Sequence, residues 1–520
     1  MSKRHIAVVG AGMAAARFAE RYAALGGTAR VTLYGAEPRA PYNRVLLADV
    51  LTGRYDAEAI TLPTGGAELR VGTEVVGLDL GARLLTLADG STEAYDELVL
   101  ATGANPVLPP IRGLRRTDGV GPAQGLRDGV HALRTLADCG RLAEEAMDAK
   151  RVVVVGGGVL GVSTARALAV LGPQVEIVHQ GPHLIERQLD ADAASALRGA
   201  LRTLGVEAYL GNRARALTEA GEVELANGYR LATDLLVLAC GVRPRTALAH
   251  AAGLAVGKGI LVDDTLAAYA VGSTPAVGST PAAGSARASG SALARAAQAV
   301  GSAEVAEVAG VAAVALAAGS ARAVAGAPVA AAPAAASARA VASAPTAAGV
   351  QPVGSARATA VQHPASPRIP GAVRSGPVPH VYAIGDCAEH AGTVHGLAGP
   401  AWEQADVLAA RLSGADPDAR YAGSRPLARL SAGPIEYAAF GEVHLDPDGQ
   451  DADPDVDELR LTDATRGSYK KLVMRGDRLV GAILLGDLAT VGDLARALER
   501  DDAHLDPPLH LLTTTHGAHR

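Results

Sequence analysis

Glycine recurs at the spacing of a phosphate cradle in two places. The first is Gly10-Ala11-Gly12-Met13-Ala14-Ala15, directly after Ile6-Ala7-Val8-Val9. The second is Gly156-Gly157-Gly158-Val159-Leu160-Gly161, directly after Val152 to Val155. In such a turn the first glycine makes the tight bend and the second lets the backbone approach a pyrophosphate. A small third residue, Ala15 or Gly161, allows close helix–strand packing. The free N–H groups and dipole of the following helix then hold the phosphates. Two cradles imply two dinucleotides, and the economical reason to bind two is to pass a hydride between them.

Other residues refine this chemistry. Glu37 closes the strand after the first cradle, where a carboxylate can accept both hydroxyls of a ribose. The equivalent strand after the second cradle ends in His179-Gln180, and neither is an acid. No basic pair for a 2′-phosphate stands beside them, although Arg187 follows. NADH and NADPH both stay open, with the balance toward NADH. Farther on, Ile384-Gly385-Asp386 follows an apolar strand. Gly385 permits close backbone approach, and Asp386 can hydrogen-bond the ribityl chain of a flavin.

The elements that must position these residues form a repeated unit. Strand, glycine turn, helix and strand occupy residues 1–35, followed by short strands over 71–100. The unit returns over 151–179 and closes with the apolar strand Asp234 to Ala239. This alternation predicts an α/β fold with parallel sheets covered by helices. A helix is expected from about Ala401 to Leu412, with the Trp402-Glu403-Gln404 region near its start. A last small unit is expected around the Arg475-Gly476-Asp477 turn. Between the ordered parts, residues 266–377 are dominated by Ala, Gly, Ser, Pro and Val, with VGSTPA and GSARA repeats. Such a stretch cannot bury enough apolar surface to order itself, so it reads as a disordered insertion. Loop closure makes it tolerable, at about 0.6 kcal/mol per doubling of length.

Composition bounds the function. The 520 residues are 49% hydrophobic with a net charge of −6, which gives no footprint for nucleic acid. No apolar window reaches membrane-spanning length. The three cysteines, Cys139, Cys240 and Cys387, are far apart. They form no disulfide, zinc or iron–sulfur spacing and fit a reducing cytoplasm. His504, His510, His516 and His519 form no metal pattern.

Taken together, these residues resemble the two-dinucleotide-binding flavoproteins, which include glutathione, ferredoxin and rubredoxin reductases. Four stretches narrow the resemblance to the flavoprotein portion of assimilatory NAD(P)H nitrite reductase, large subunit. They are Pro41-Tyr42-Asn43-Arg44-Val45-Leu46-Leu47, Glu186-Arg187-Gln188-Leu189-Asp190, His395-Gly396-Leu397-Ala398-Gly399-Pro400 with Glu403-Gln404-Ala405, and Tyr469-Lys470-Lys471-Leu472-Val473. The resemblance implies FAD at the first cradle, with Gly10, Gly12, Ala15, Glu37, Arg44, Val75, Thr102, Gly103, Gly385, Asp386, Glu403 and Gln404 in its site. It implies NAD(P)H at the second, with Gly156, Gly158, Gly161, His179 and Gly241. Ala101-Thr102-Gly103 and Ala239-Cys240-Gly241 match the two cross-over positions.

The resemblance further implies two Rossmann-like domains and a small C-terminal α+β domain. The FAD domain would take 1–118 with 244–265 and 378–420, the NAD(P) domain 119–243, and the C-terminal interface domain 425–520. Electrons would pass from NAD(P)H through FAD to a redox protein, either an iron–sulfur carrier or a nitrite/nitrate reductase component, and a homodimer is among the assemblies allowed. Two departures stand out. Ala48-Asp49 replaces the Ser-Lys of many relatives, and the cysteine clusters for iron–sulfur and sirohaem are missing, so the chain is not expected to reduce nitrite alone. Other readings are an NADH-dependent ferredoxin or rubredoxin reductase, or a non-catalytic nucleotide-binding redox sensor.

Overall fold

The strand His5–Val9 is buried at every position, the pattern of a parallel strand covered on both faces. In this computed structural model, the residues described are 3–115, 125–272, 376–425, 427–432, 435–444, 455–463, 465 and 467–499. His5–Val9 runs parallel to Arg30–Tyr34 on one side and to Glu97–Leu100 on the other. Glu68–Arg70 and Pro377–Ala383 extend the parallel sheet outward. Ala267–Tyr269, Ile260–Val262 and Ala388–His390 complete eight strands.

Helix Met13–Ala24 leaves the first glycine turn and packs against helix Ala398–Ser413. Arg17 joins the two helices, donating to both carboxylate oxygens of Asp406 at 2.8 and 3.0 Å.

The second cradle sits in a separate five-stranded parallel sheet, ordered Val206–Tyr209, Gln174–Val178, Arg151–Val155, Leu235–Leu238, Val130–Ala132. Each glycine-bearing strand therefore lies between its own following strand and the strand that leads to a crossover. Each domain also carries a three-stranded antiparallel sheet. In the first domain it is Val75–Asp79, Leu84–Leu87 and Thr92–Ala94; in the second it is Ala214–Leu217, Glu222–Leu225 and Arg230–Ala232. The second of these was signalled by Asn227-Gly228, a hairpin dipeptide that the sequence reading passed over. Ile111 and Leu114, on the first-domain side of the expected boundary at 118, pack into the second domain's core with Val153 and Leu236.

The low-complexity segment begins later than expected. Ala267–Tyr269 is a strand antiparallel to Pro377–Ala383. Its small side chains, Ala267 and Ala268, are buried in the sheet, so a composition that read as filler suits this position. Residues 273–375 of the expected insertion, with the histidines from His504 on, lie outside the described residues.

The C-terminal unit is an antiparallel sheet of five strands with helix Val491–Glu499. Its Tyr437, Tyr469 and Leu485 share one core with Leu197 and Leu201 of the second domain. Tyr469 donates its hydroxyl to Asp190 at 2.7 Å, and Asp190 in turn caps helix Ala191–Thr203. Lys471 is buried but paired, with its ammonium 2.6 Å from Glu458 and 3.2 Å from the carbonyl of Val443.

Candidate functional site

The two glycine turns share one geometry. Gly10 has φ +113° and Gly156 has φ +117°, values that L side chains rarely adopt. A Cβ on Gly10 would lie 2.2 Å from the carbonyl oxygen of Ala101, and one on Gly156 would lie 2.3 Å from that of Ala239. Each first glycine therefore presses against the residue before its own crossover.

Gly12 and Gly158 behave in the opposite way. A Cβ at either would meet nothing within 4 Å. Both are helix N-caps without a side-chain capping bond, so the first-turn amides face open space. That arrangement fits an anionic pyrophosphate at each turn. The third positions differ: Ala15 is accommodated and fully buried, whereas a Cβ on Gly161 would fall 1.9 Å from the carbonyl of Gly156.

Glu37 stands beyond the first cradle. It accepts from the Arg44 guanidinium at 2.5 Å and from the Tyr42 hydroxyl at 2.7 Å, one bond on each oxygen. A carboxylate offers about four acceptor positions, so two remain for a ribose diol. Burial, which outweighs the opposing Arg44 charge, holds the Tyr42 hydroxyl protonated well above its usual range. Val75 is buried at the start of its strand, close in sequence to Thr73, whose N–H bonds the carbonyl of Gly35.

The crossovers are tied to each other. Ala104–Pro106 pairs antiparallel with Val242–Pro244. Val107 N–H donates to the carbonyl of Gly241 and Arg245 N–H to that of Gly103, both at 2.9 Å. The Thr102 hydroxyl donates to the carbonyl of Arg245 at 2.7 Å. This two-stranded link fixes the position of one cradle against the other.

Asp386 accepts from Arg134 at 2.8 Å. Gly385 donates its N–H to the buried amide oxygen of Gln404 at 2.7 Å. Gln404 thus braces the Gly385-Asp386 turn, while Glu403 accepts from Ser424 at 2.5 Å. The helix carrying them begins at Ala398 and not near Trp402. Gly399-Pro400 falls in its first turn, where proline is tolerated because its missing N–H has no partner to lose. The amides at that end belong to Ala398, Gly399 and Ala401.

Two arginines went unnoticed in the sequence. Arg134 precedes the capping Thr135, and Arg245 closes Gly241-Val242-Arg243-Pro244-Arg245. Arg44 donates to the carbonyl of Arg134 at 2.8 Å. Desolvation, then the charges of Arg44 and Arg134, push the Arg245 guanidinium below its ordinary range. Three guanidiniums thus converge beside the first cradle, a positive field suited to a bridging diphosphate. The available signal was their place directly after a strand or crossover.

In the second cradle, Nδ1 of His179 accepts the Gly157 N–H at 3.1 Å. Asp49, at the position of the relatives' lysine, is buried and faces Arg166 of the second domain at 3.5 Å. The three thiols are apart. Burial pushes Cys139 and Cys240 up to about 11 and raises Cys387, so none is a ready nucleophile. A cavity of about 980 Å³ lies at the amino ends of the first sheet's strands, around His5, Arg30, Glu68 and Asp96. Ligands of open parallel sheets bind at the carboxyl ends, where the glycine turns are, so that cavity is away from the site.

Residues 4–301 match the family model for pyridine nucleotide-disulphide oxidoreductases, and 427–502 match the rubredoxin NAD+ reductase C-terminal domain. The chain belongs to the pyridine nucleotide-disulphide oxidoreductase family and is an oxidoreductase of the FAD- and NAD(P)H-dependent class. It is 26% identical over 511 residues to the nitrite reductase [NAD(P)H] of Bacillus subtilis, covering 96% of this chain and 48% of that protein. It is 36% identical over 277 residues to the Klebsiella oxytoca nitrite reductase [NAD(P)H] large subunit, covering 51% and 28%. The chain thus spans about half, or less, of the length of these relatives. A covalent putidaredoxin reductase–putidaredoxin complex has the same fold, with TM-score 0.66, 19% identity and coverage of 98% and 96%. Among the described residues no helix is long and apolar enough to cross a membrane.

Proposed function

We propose that this chain takes electrons from NAD(P)H through FAD and delivers them to a redox protein of nitrite or nitrate assimilation. The observation that carries this reading is the pair of uncapped glycine turns held against one another by the Ala104–Pro106 and Val242–Pro244 link. FAD, when bound, supplies a ring that accepts a hydride and releases electrons to a carrier. The chain's own work is to hold and to orient. Gly12, Arg44, Arg134 and Arg245 hold the diphosphate, Glu37 takes the ribose, and Asp386, fixed by Arg134, takes the ribityl chain. Gly158 and the helix behind it hold the second nucleotide. Catalysis is then mainly positioning, since a hydride moves only when its donor and acceptor carbons and nitrogens are about 3–3.5 Å apart.

The 520 residues contain no cysteine cluster, so the acceptor's metal centre is held by another segment or protein. The unpaired thiols support a reducing compartment such as the cytoplasm. A second reading, an NADH-dependent ferredoxin or rubredoxin reductase, is favoured by the C-terminal domain match. Anaerobic assays with NADH and each carrier in turn test the assignment. Turnover with a nitrite or nitrate reductase component above that with ferredoxin or rubredoxin supports assimilation, and the reverse order supports the second reading.

A further inference from the structure

Asp190 and Tyr469, 279 positions apart, join two of the stretches that the sequence singled out, Glu186-Arg187-Gln188-Leu189-Asp190 and Tyr469-Lys470-Lys471-Leu472-Val473. The Tyr469 hydroxyl donates to the Asp190 carboxylate, and the Lys471 ammonium stands 3.6 Å from the same oxygen. His444 donates its Nε2–H to the carbonyl of Arg187 at 3.0 Å. Arg460 reaches Asp192, two residues on, at 3.4 Å. The C-terminal domain thereby grips one turn of the second domain from several of its own strands and loops.

The other end of that turn holds the second cradle. Ile185 donates its N–H to the carbonyl of Gly157 at 2.8 Å, and Gly157 donates its own N–H to Nδ1 of His179 at 3.1 Å. A Cβ on Gly157 would lie 2.6 Å from Leu184 and 2.7 Å from the His179 ring, so the middle residue of the cradle is pinned beneath this loop. Leu184, Ile185 and Leu189 are buried in the same apolar core as Tyr437, Tyr469 and Leu485 of the C-terminal domain. Ile185 has φ +53°, which is rare for a β-branched residue. Such a conformation persists only where the surrounding structure over-determines it. The carbonyl of Ile185 accepts from the N–H groups of Gln188 and Leu189 at 2.9 and 3.0 Å, which closes 185–189 into one turn. A displacement at Arg187 or Asp190 is therefore felt at Gly157, one residue before the N-cap Gly158.

We propose that the C-terminal domain sets the shape of the second cradle, with Tyr469 and His444 as positioning residues for the nicotinamide dinucleotide. This rests on the reading of that cradle as the NAD(P)H site. Coupling between two sites is reciprocal in binding free energy. A nucleotide on the cradle therefore tightens the C-terminal sheet by as much as the sheet tightens the nucleotide. The grip acts on the diphosphate turn and not on the reacting ring, so its loss weakens binding and spares the rate at saturation.

The test uses the full-length flavin-loaded chain with ADP-ribose as the probe, which carries the diphosphate but cannot reduce the flavin. In wild type, ADP-ribose should slow hydrogen exchange in strands Val456–Asp463 and Ser468–Arg475. Tyr469→Phe combined with His444→Ala removes two ties while leaving Lys471 paired with Glu458. This double variant should lose the protection and bind ADP-ribose about five- to tenfold more weakly by calorimetry. The NADH concentration for half-maximal flavin bleaching should rise by a similar factor, with the limiting rate unchanged. Flavin content, set at the first cradle, should match wild type. A double variant that binds ADP-ribose like wild type would overturn the proposal, as would wild-type strands whose exchange ignores the probe; in both cases the NAD(P)H site itself stands. Failure of wild type to bind ADP-ribose would overturn the site and the proposal together.

Discussion

Arg134 and Asp386 meet at 2.8 Å although 252 positions separate them in sequence. One stands at the entrance to helix Leu136–Ala146 of the second domain, the other on the turn after strand Pro377–Ala383 of the first. The pair fixes the carboxylate assigned to the flavin's ribityl chain and brings a guanidinium to the diphosphate side of the same site.

Arg134→Ala should therefore loosen flavin. Losing a hydrogen bond to a charged group costs about 1.5–3 kcal/mol, roughly ten- to a hundredfold in affinity. The ratio of flavin to protein absorbance after gel filtration measures it. Full retention of flavin would show that Arg134 only bridges the domains.

The third positions of the two glycine turns predict an asymmetry. Gly161→Ala places a Cβ 1.9 Å from the Gly156 carbonyl, so it should destabilise by about 1–3 kcal/mol. Ala15→Gly relieves nothing and should cost about 0.5–1 kcal/mol through backbone entropy. Thermal unfolding of the two variants checks the order. Equal losses would mean that the second turn has room the geometry denies.

Acid should destabilise the fold through histidines that folding desolvates. Desolvation is the largest cause lowering His5, His179 and His395 below their usual value of 6.5. The unfolded chain then binds more protons than the folded one as pH falls through 6.5, so stability present above that pH is lost below it. His5 is engaged through both ring nitrogens, 2.8 Å from the Ala94 carbonyl and 3.0 Å from the Thr32 hydroxyl. Melting temperature should drop between pH 7.5 and pH 5.5, and the drop should shrink in His5→Gln. An unchanged drop in that variant would assign the acid sensitivity elsewhere.

The C-terminal domain should be held to the second domain through Asp190. Asp190→Ala removes the acceptor of Tyr469 and the cap of helix Ala191–Thr203. A cap alone is worth about 1 kcal/mol. Limited proteolysis should therefore cut between these domains faster in the variant, and equal rates would show that the shared apolar core suffices.

Much of the site was legible because glycine spacing and strand ends are local signals. Gly10, Gly12, Gly156 and Gly158 announce their roles within a few residues of chain. Arg134 and Arg245 do not, because each reaches its site from a loop whose position depends on packing far along the chain. The start of the Ala398 helix was masked by Gly399-Pro400, whose local preference is overridden by the burial of Ala401 and Ala405. The strand Ala267–Tyr269 was hidden for the reverse reason: its alanines carry no strand signal, and its order comes from pairing with Ile260–Val262 on one side and Pro377–Ala383 on the other.

The most direct test of two cradles serving one transfer is an anaerobic absorbance titration of the purified chain with NADH. The wild type should carry flavin bands that bleach on addition. Gly12→Val should carry no flavin, and Gly158→Val should stay yellow without bleaching. A wild-type chain that retains no flavin when supplied with it, or variants that both bleach like wild type, would contradict the assignment.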